Sequence, residues 1–522
     1  MCLVPLEMCQ HLMIMAPVLF LLLTGELRPF KSLGGASSGQ EASHPQDRPP
    51  DENYNWSKSR NITYELPLYE KYGHILDSTQ LEALVRTMYK RKDQKILPVN
   101  QPLPNGINPS GTFAPDPGGG LVVQRGSRLT PERLKIMHIG DEFLSDAEKQ
   151  LFIDILYQFE GAVAFNDEEM GLLKPSIEPP IIIHTIPHVP WQQQNIRLPK
   201  SMQEAATEMV KEKLTYGILE PSQGPYRSRY FLVVKKKPGD WRFINDVQPL
   251  NKVTIRDSAL PPSVDEFSED FAGYPISSAI DYFSGYFEIP LARESRDLTT
   301  FSTPIGNLRQ TRLPKGWTNS VSCFQRIISK VHYRQIPHQV RSFIDDSGVK
   351  GSKSTYDDEE TSPGIRRFVY EHAQIFRQFM QDCWTAGLTI SGPKSMIGMS
   401  GIDIVGFLCD KDGRKLVQSK VSKILDWPIP RNIKEARGFI GIVTYYKIFI
   451  PRLAVIAAPI YNLFRKGKRF VWNSECQLAM DTLKRRLTES PVLITLDLSP
   501  SALRIIVNVD AASTIGWGMV LS

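Results

Sequence analysis

Phe343-Ile344-Asp345-Asp346-Ser347-Gly348 is the stretch on which the reading of this chain turns. A second acidic site, Asp281, closes the apolar run 276–280, which predicts a buried strand. Consecutive residues of a strand point to opposite faces. A tight hairpin after Asp346, with Gly348 at its turn, is therefore expected to bring Asp345 and Asp346 to one point. If the two strands are neighbours, Asp281 joins them and three carboxylates share one site. Such a cluster is costly without cations, and hard Mg²⁺ ions with oxygen ligands suit it. Two ions about 3.5–4 Å apart can activate an attacking hydroxyl and stabilise a leaving phosphate. Taken alone, however, an Asp-Asp pair is usually a solvated turn.

The surroundings decide between these readings. The chain has 522 residues, 41% hydrophobic and 23% charged, which suggests three or four globular units and excludes a fibrous chain or a multi-span membrane protein. Six cysteines without a C-x-x-C pair exclude a disulfide scaffold and a structural zinc site of the usual spacing; reduced, buried thiols are expected. Downstream, residues 421–470 hold ten Lys/Arg and two Asp/Glu, a net of +8 against +6 for the whole chain. That helix-rich section is where a polyanion would bind. Upstream, residues 145–159 predict an amphipathic helix capped by Ser145. Residues 179–191 predict an extended, proline-broken connector; His184 and His188 lie on it without a carboxylate or cysteine to complete a metal site. Residues 202–216 read as a helix, and 229–235 and 241–246 as strands.

Ordered motifs then run through the chain. They are Val234-Lys235-Lys236-Lys237 with Trp241-Arg242; Leu250-Asn251-Lys252; Asp281-Tyr282-Phe283-Ser284-Gly285-Tyr286; Leu313-Pro314-Lys315-Gly316-Trp317 ending in Phe324-Gln325; Phe343-Ile344-Asp345-Asp346; Gly387-Leu388-Thr389-Ile390 through Lys394; and Val405-Gly406-Phe407-Leu408. Each is weak alone, but together and in this order the stretch 212–493 resembles the reverse transcriptase of gypsy-type LTR retrotransposons, with a fungal flavour. Asp346-Ser347-Gly348 also matches the three-residue signature of an aspartic protease, but the small apolar β-domain such an enzyme needs does not surround it.

The resemblance implies an α+β right-hand polymerase with fingers, palm and thumb. It would transfer a nucleotide from a dNTP to a primer 3′-hydroxyl, templated by RNA or DNA, with two Mg²⁺ ions, or Mn²⁺ in their place. It implies Asp281, Asp345 and Asp346 as metal ligands, helped by the Tyr282 carbonyl. Lys236 and Arg242 would fold over the triphosphate across a Pro238-Gly239-Asp240 turn. Tyr286 would lie under the sugar and clash with a 2′-hydroxyl. Gly316 and Gln325 belong to the motif that approaches the nucleotide, with Gln325 read as a palm-helix residue. Lys394 would protonate the pyrophosphate leaving group. Arg431, Lys434 and Arg437, with Phe407 and Leu408, would contact nucleic acid, the cations through phosphates. Each has a plainer alternative: a solvated charge run for the cations, core packing for Tyr286. Phe343 in place of the usual tyrosine, Gln248 in place of an arginine and Lys315 in place of a neutral residue depart from the family pattern without removing a metal ligand.

The expected organisation is an apolar N-terminal run and disordered leader (1–130), a helical and extended linker (131–205), fingers and palm (206–415), thumb and connection (416–500), and a truncated RNase H-like first strand ending at Asp510 (501–522). Six prolines and five glycines within residues 97–120 mark the leader as unstructured. The apolar run 12–23 is too short to span a bilayer, and neither it nor the sequons at Asn55 and Asn61 make a strong case for secretion. The expected partners are an RNA template, a DNA primer or duplex, dNTPs and other Pol or Gag products, with no membrane. The expected location is the cytoplasm, within virus-like particles, with the nucleus second. The runner-up is an inactive remnant that keeps only nucleic-acid binding.

Overall fold

The computed structural model describes residues 99, 119–234, 241–259, 261–489, 493, 507–512 and 516–521. The apolar run, both sequons, Lys236 and the 238–240 turn lie outside the described residues. Among them the chain forms two units: one runs to Asp426 and takes back Thr488–Leu496, and the other comprises Trp427–Leu487 with the chain end from Asp497. The division falls after a helix that the expected 415/416 boundary would have assigned to the thumb.

In the first unit, packing begins inside what was expected to be leader. Leu129 is fully buried, and the Glu160 carboxylate accepts the backbone N–H groups of Gly126, Arg128 and Leu129. A short strand β1 (His138–Ile139) precedes helix α1 (Asp146–Gln158). Ser145 caps α1 as expected, in a reciprocal box with Glu148. Glu148 is fully buried, and the Arg366 guanidinium neutralises it at 2.8 Å. The 179–191 connector is extended and touches the rest through single bridges, Ile181 with Leu291 and Thr185 with Thr254. Helix α2 (Lys200–Thr215) leads into β2 (Leu219–Pro221), then into the antiparallel pair β3 (Tyr230–Val234) and β4 (Trp241–Asn245). Both strands of that pair match the sequence reading.

The central sheet contains β5 (Ser277–Asp281), β8 (Val340–Phe343), β9 (Asp346–Lys350) and β10 (Met396–Met399), in the order β1-β10-β5-β9-β8. Its β1–β10 contact is parallel and the other pairs are antiparallel. Between β5 and β8 the chain makes β6 (Phe301–Thr303) and β7 (Gly306–Gln310), which join β2 in a separate sheet, and then helix α3 (Ser320–Val331). Helix α3 and the long helix α4 (Arg367–Ala386) bury Phe324, Ile327, Phe368, Phe376 and Phe379 in the core shared with β5 and β9. Helix α4 ends at Gly387, whose left-handed backbone and contact with the Leu172 carbonyl leave no room for a side chain. A three-stranded antiparallel sheet, β11 (Gly401–Ile404), β12 (Phe407–Asp410) and β13 (Gly413–Leu416), is followed by helix α5 (Gln418–Leu425).

The second unit is helical over Trp427–Leu487, as the spacing there predicts. Helix α6 (Ile433–Tyr445) is capped by Asn432 and buries Ala436, Phe439, Ile440 and Val443. Helix α7 (Ser474–Thr488) buries Ala479, Met480 and Leu483. At the chain end, β14 (Val507–Ala512) pairs with β15 (Gly516–Leu521), placing Asp510 opposite Gly518. The strand expected to end at Asp510 continues to Ala512. Cys323, Cys383, Cys409 and Cys476 are buried free thiols. Among the described residues, no helix is long and apolar enough to cross a membrane.

Candidate active site

Phe343 pairs with Asp346, so Ile344 and Asp345 form a two-residue turn between β8 and β9. The turn therefore precedes Asp346, and the expectation of a hairpin after it is corrected. Gly348 lies within β9, where a side chain would run into the Phe271 ring 2.2 Å away. Packing of Phe271, not turning, requires the glycine. The residue that does adopt a left-handed backbone is Ile344, at φ 59°. For a β-branched residue this costs about 1–2 kcal/mol. Gln325, from α3, braces it: the Ile344 N–H donates to Oε1 at 2.7 Å, while Nε2 donates to the Ser342 carbonyl at 2.9 Å. Gln325, read as a palm-helix residue of the motif that approaches the nucleotide, lies on that helix with both ends of its amide committed to this hairpin.

The register of β5 and β9 sets Asp346 directly opposite Asp281, and Asp345 sits exposed at the adjoining turn. The two strands are neighbours, as the sequence reading required, and Asp281 and Asp346 face each other with Asp345 next in the chain. Burial, and then the charges of Asp345 and Asp281, push the Asp346 carboxyl up to about 6. Lys394 donates to Asp281 Oδ2 at 2.9 Å, so its ammonium stands on a carboxylate of the cluster. Among the described residues no three potential ligands converge as a ready metal cage. The donor chemistry nevertheless fits a hard cation: three carboxylates share one sheet end, and burial together with the neighbouring negative charges raises the Asp346 carboxyl, which a cation would relieve.

A short turn of helix, Gly285–Glu288, continues from β5. Its Tyr286 ring packs on Phe324 with centroids 5.2 Å apart, and burial followed by the charge of Asp345 pushes its hydroxyl up to about 12. Tyr286 is thus half-buried beside the acidic turn. The next ring, Phe287, carries two ammonium groups, Lys213 at 4.8 Å and Lys315 at 4.3 Å from its centroid. Lys315 is exposed over much of its surface, but burial of its ammonium against Phe287, then the like charges of Lys213 and Arg242, pull its pKa down to about 8. Gly316, beside it, has φ +93° and offers its carbonyl to Asn251 Nδ2; Asn251 Oδ1 accepts the Thr318 N–H. Arg242 is exposed on β4.

Phe407 is corrected outright. It is fully buried with Arg414 over its ring, which makes it core rather than a nucleic-acid contact, while Leu408 is half-buried. Arg431, Lys434 and Arg437 are exposed at the start of α6, and Arg437 lies over Phe464. Three residues that sequence reasoning passed over support the site. Asn251 clamps the Lys315-Gly316 loop, and its place in the Leu-Asn-Lys motif was the available signal. Glu288 is fully buried and accepts the backbone N–H groups of Gly171 and Thr389 and the Thr389 hydroxyl. His332, buried beneath Tyr282, carried no signal.

Residues 234–409 match the family described as "Reverse transcriptase (RNA-dependent DNA polymerase)". Among curated proteins, the chain is similar to the retrovirus-related Pol polyprotein from transposon 412 of Drosophila melanogaster, 28% identical over 315 residues, covering 59% of this chain and 24% of that protein. The corresponding polyprotein from transposon gypsy is 26% identical over 63% of this chain and 30% of its own length. The transposon Tf2-3 polyprotein of Schizosaccharomyces pombe is 26% identical over 63% of this chain and 23% of its own. The chain thus spans less than a third of the length of these relatives. Among solved structures, the foamy viral protease-reverse transcriptase in complex with dsDNA superposes with a TM-score of 0.63 at 21% identity, over 76% of this chain and 78% of that one. The same enzyme in complex with RNA/DNA hybrid gives 0.61 at 20%, over 78% and 54%. The fold held in common is the α+β right hand.

Proposed function

We propose that this chain, whose residues 234–409 carry a gypsy-type reverse transcriptase domain, is an RNA- and DNA-directed DNA polymerase that extends a primer with deoxynucleotides. The single observation that carries the reading is the register pair Asp281–Asp346 with Asp345 at the adjoining turn. Asp281, Asp345 and Asp346 would hold the divalent cations, which we assign as two Mg²⁺ ions. Bound there, the cations would supply charge neutralisation at the phosphates and lower the pKa of the attacking hydroxyl. The chain's own residues do the rest. Lys394 stands on Asp281, and its ammonium would be the proton donor to the leaving pyrophosphate. Arg242 and Lys315 supply cations to the triphosphate end of the cleft, and Tyr286 supplies the floor under the sugar. Template and primer, as RNA or DNA, are the expected nucleic-acid partners, with Arg431, Lys434 and Arg437 on the phosphates. All three carboxylates are present and adjacent, so an inactive remnant is not favoured.

The test is primer extension on a homopolymer RNA template with Mg²⁺. The parent should extend, and Asp281→Asn, Asp345→Asn and Asp346→Asn should each fall below about a tenth of its rate while duplex binding persists. A variant that keeps more than that is no metal ligand, and a parent that does not extend refutes the reading.

A further inference from the structure

Beneath the carboxylates runs a line of buried polar groups that the chemistry above does not use. Ser342 on β8 and Ser347 on β9 face each other with hydroxyls 2.7 Å apart. Ser347 Oγ donates to the Tyr282 hydroxyl at 3.3 Å. That hydroxyl lies 3.1 Å from His332 Nε2, and His332 Nδ1 lies 3.6 Å from Asp382 Oδ2 on α4. The His332 ring is stacked on Phe379 with centroids 4.2 Å apart and planes within 5°. Ser342, Ser347, Tyr282 and His332 are all buried.

We propose that Ser342, Ser347, Tyr282 and His332 form a positioning chain that fixes the carboxylates of Asp281 and Asp346 against one another. The inference rests on the reading of those carboxylates as cation ligands. Tyr282 directly follows Asp281 and Ser347 directly follows Asp346, so the Ser347–Tyr282 bond links the chain neighbours of the two facing carboxylates. The hydrogen-bonded links have one consistent order: Ser342 donates to Ser347, Ser347 donates to the Tyr282 hydroxyl, and that hydroxyl donates to His332 Nε2. A phenol buried among Phe rings costs stability unless it is bonded, and an aliphatic side chain would fill the same space without that demand. The polar row therefore has a use other than filling the core: it resists the mutual repulsion that drives Asp281 and Asp346 apart. Groups that hold ligands from behind typically contribute 10–100-fold to metal affinity or activity.

Tyr282→Phe tests this, since it removes one oxygen and keeps the ring and the backbone carbonyl. Mn²⁺ binding to the protein with template–primer is followed by electron paramagnetic resonance of the free ion, beside thermal melting and primer extension. The expected result is a Kd for Mn²⁺ raised about ten-fold. Ser347→Ala should give a similar rise, and the double variant little more than either, because both break one chain. Mn²⁺ binding unchanged in both single variants, whatever happens to the melting temperature, overturns the proposal, as does a parent that binds no Mn²⁺. A parent that binds Mn²⁺ but extends no primer, with binding weakened in Tyr282→Phe, supports the chain and sinks the polymerase reading.

Discussion

At the scale of single residues, Tyr286 and Gln325 separate two kinds of contribution. Tyr286 packs on Phe324 and feels the charge of Asp345, and the proposed role of its ring is to lie under the sugar of an incoming nucleotide. Tyr286→Ala should admit ribonucleotides with a modest loss of deoxynucleotide incorporation; unchanged sugar discrimination in competition assays would return the ring to plain core packing. Gln325→Ala should leave the Ile344 N–H unsatisfied in a strained turn, costing about 1–3 kcal/mol in urea unfolding and lowering extension. The two were unequally legible. Tyr286 is spaced from Asp281 as the family motif requires, so its place could be read directly. Gln325 was visible as a motif residue, but its bonds run to a hairpin whose turn position depends on cross-strand pairing. That pairing puts the turn at Ile344 and Asp345 and leaves Gly348 inside a strand.

The elements tell a similar story. Strands β3, β4 and β5 and helices α1 and α2 were legible because each carries its own periodicity or cap. Phe407 was misjudged because its motif borders the sheet β11–β13, and alternation alone does not say which face is covered. Burial of Phe407 under Arg414 is a tertiary fact. For α6, the exposed N-terminal turn makes a clear forecast. Reversing the charges of Arg431, Lys434 and Arg437 should weaken template–primer binding evenly across sequences. The slope of log K against log salt should flatten by about one unit for each phosphate no longer neutralised. Weakening confined to some sequences would mean that these side chains read bases.

For the whole molecule, pH acts through Glu288. Burial without a cationic partner pushes its carboxyl up to about 8, against the opposing bonds from Thr389 and Gly171. The folded state therefore holds a proton that the unfolded chain releases near pH 4.5. Stability from this group is complete below that pH and is lost as pH rises towards 8, at no more than about 1.4 kcal/mol per unit. Glu288→Gln should flatten that part of the stability profile between about pH 5 and 8, measured as the difference in unfolding free energy from the parent. Parallel profiles would show that the carboxyl is already ionised. Nothing in the sequence around Glu288 distinguished it from a surface carboxylate, because its partners, Gly171 and Thr389, come from distant parts of the chain.

The order of strands in the central sheet has a consequence for synthesis. Strand β5 lies between β9 and β10, and β10 also receives β1, so His138 must wait for Met396. A ribosome adding about 5–20 residues per second needs roughly a quarter of a minute to a minute to cover that interval. Until then β1 has no strand to pair with, although β5, β8 and β9 of the same sheet are already made. Slowing elongation between Lys350 and Met396 would lengthen the time for which the β5 edge of that sheet stands unpaired.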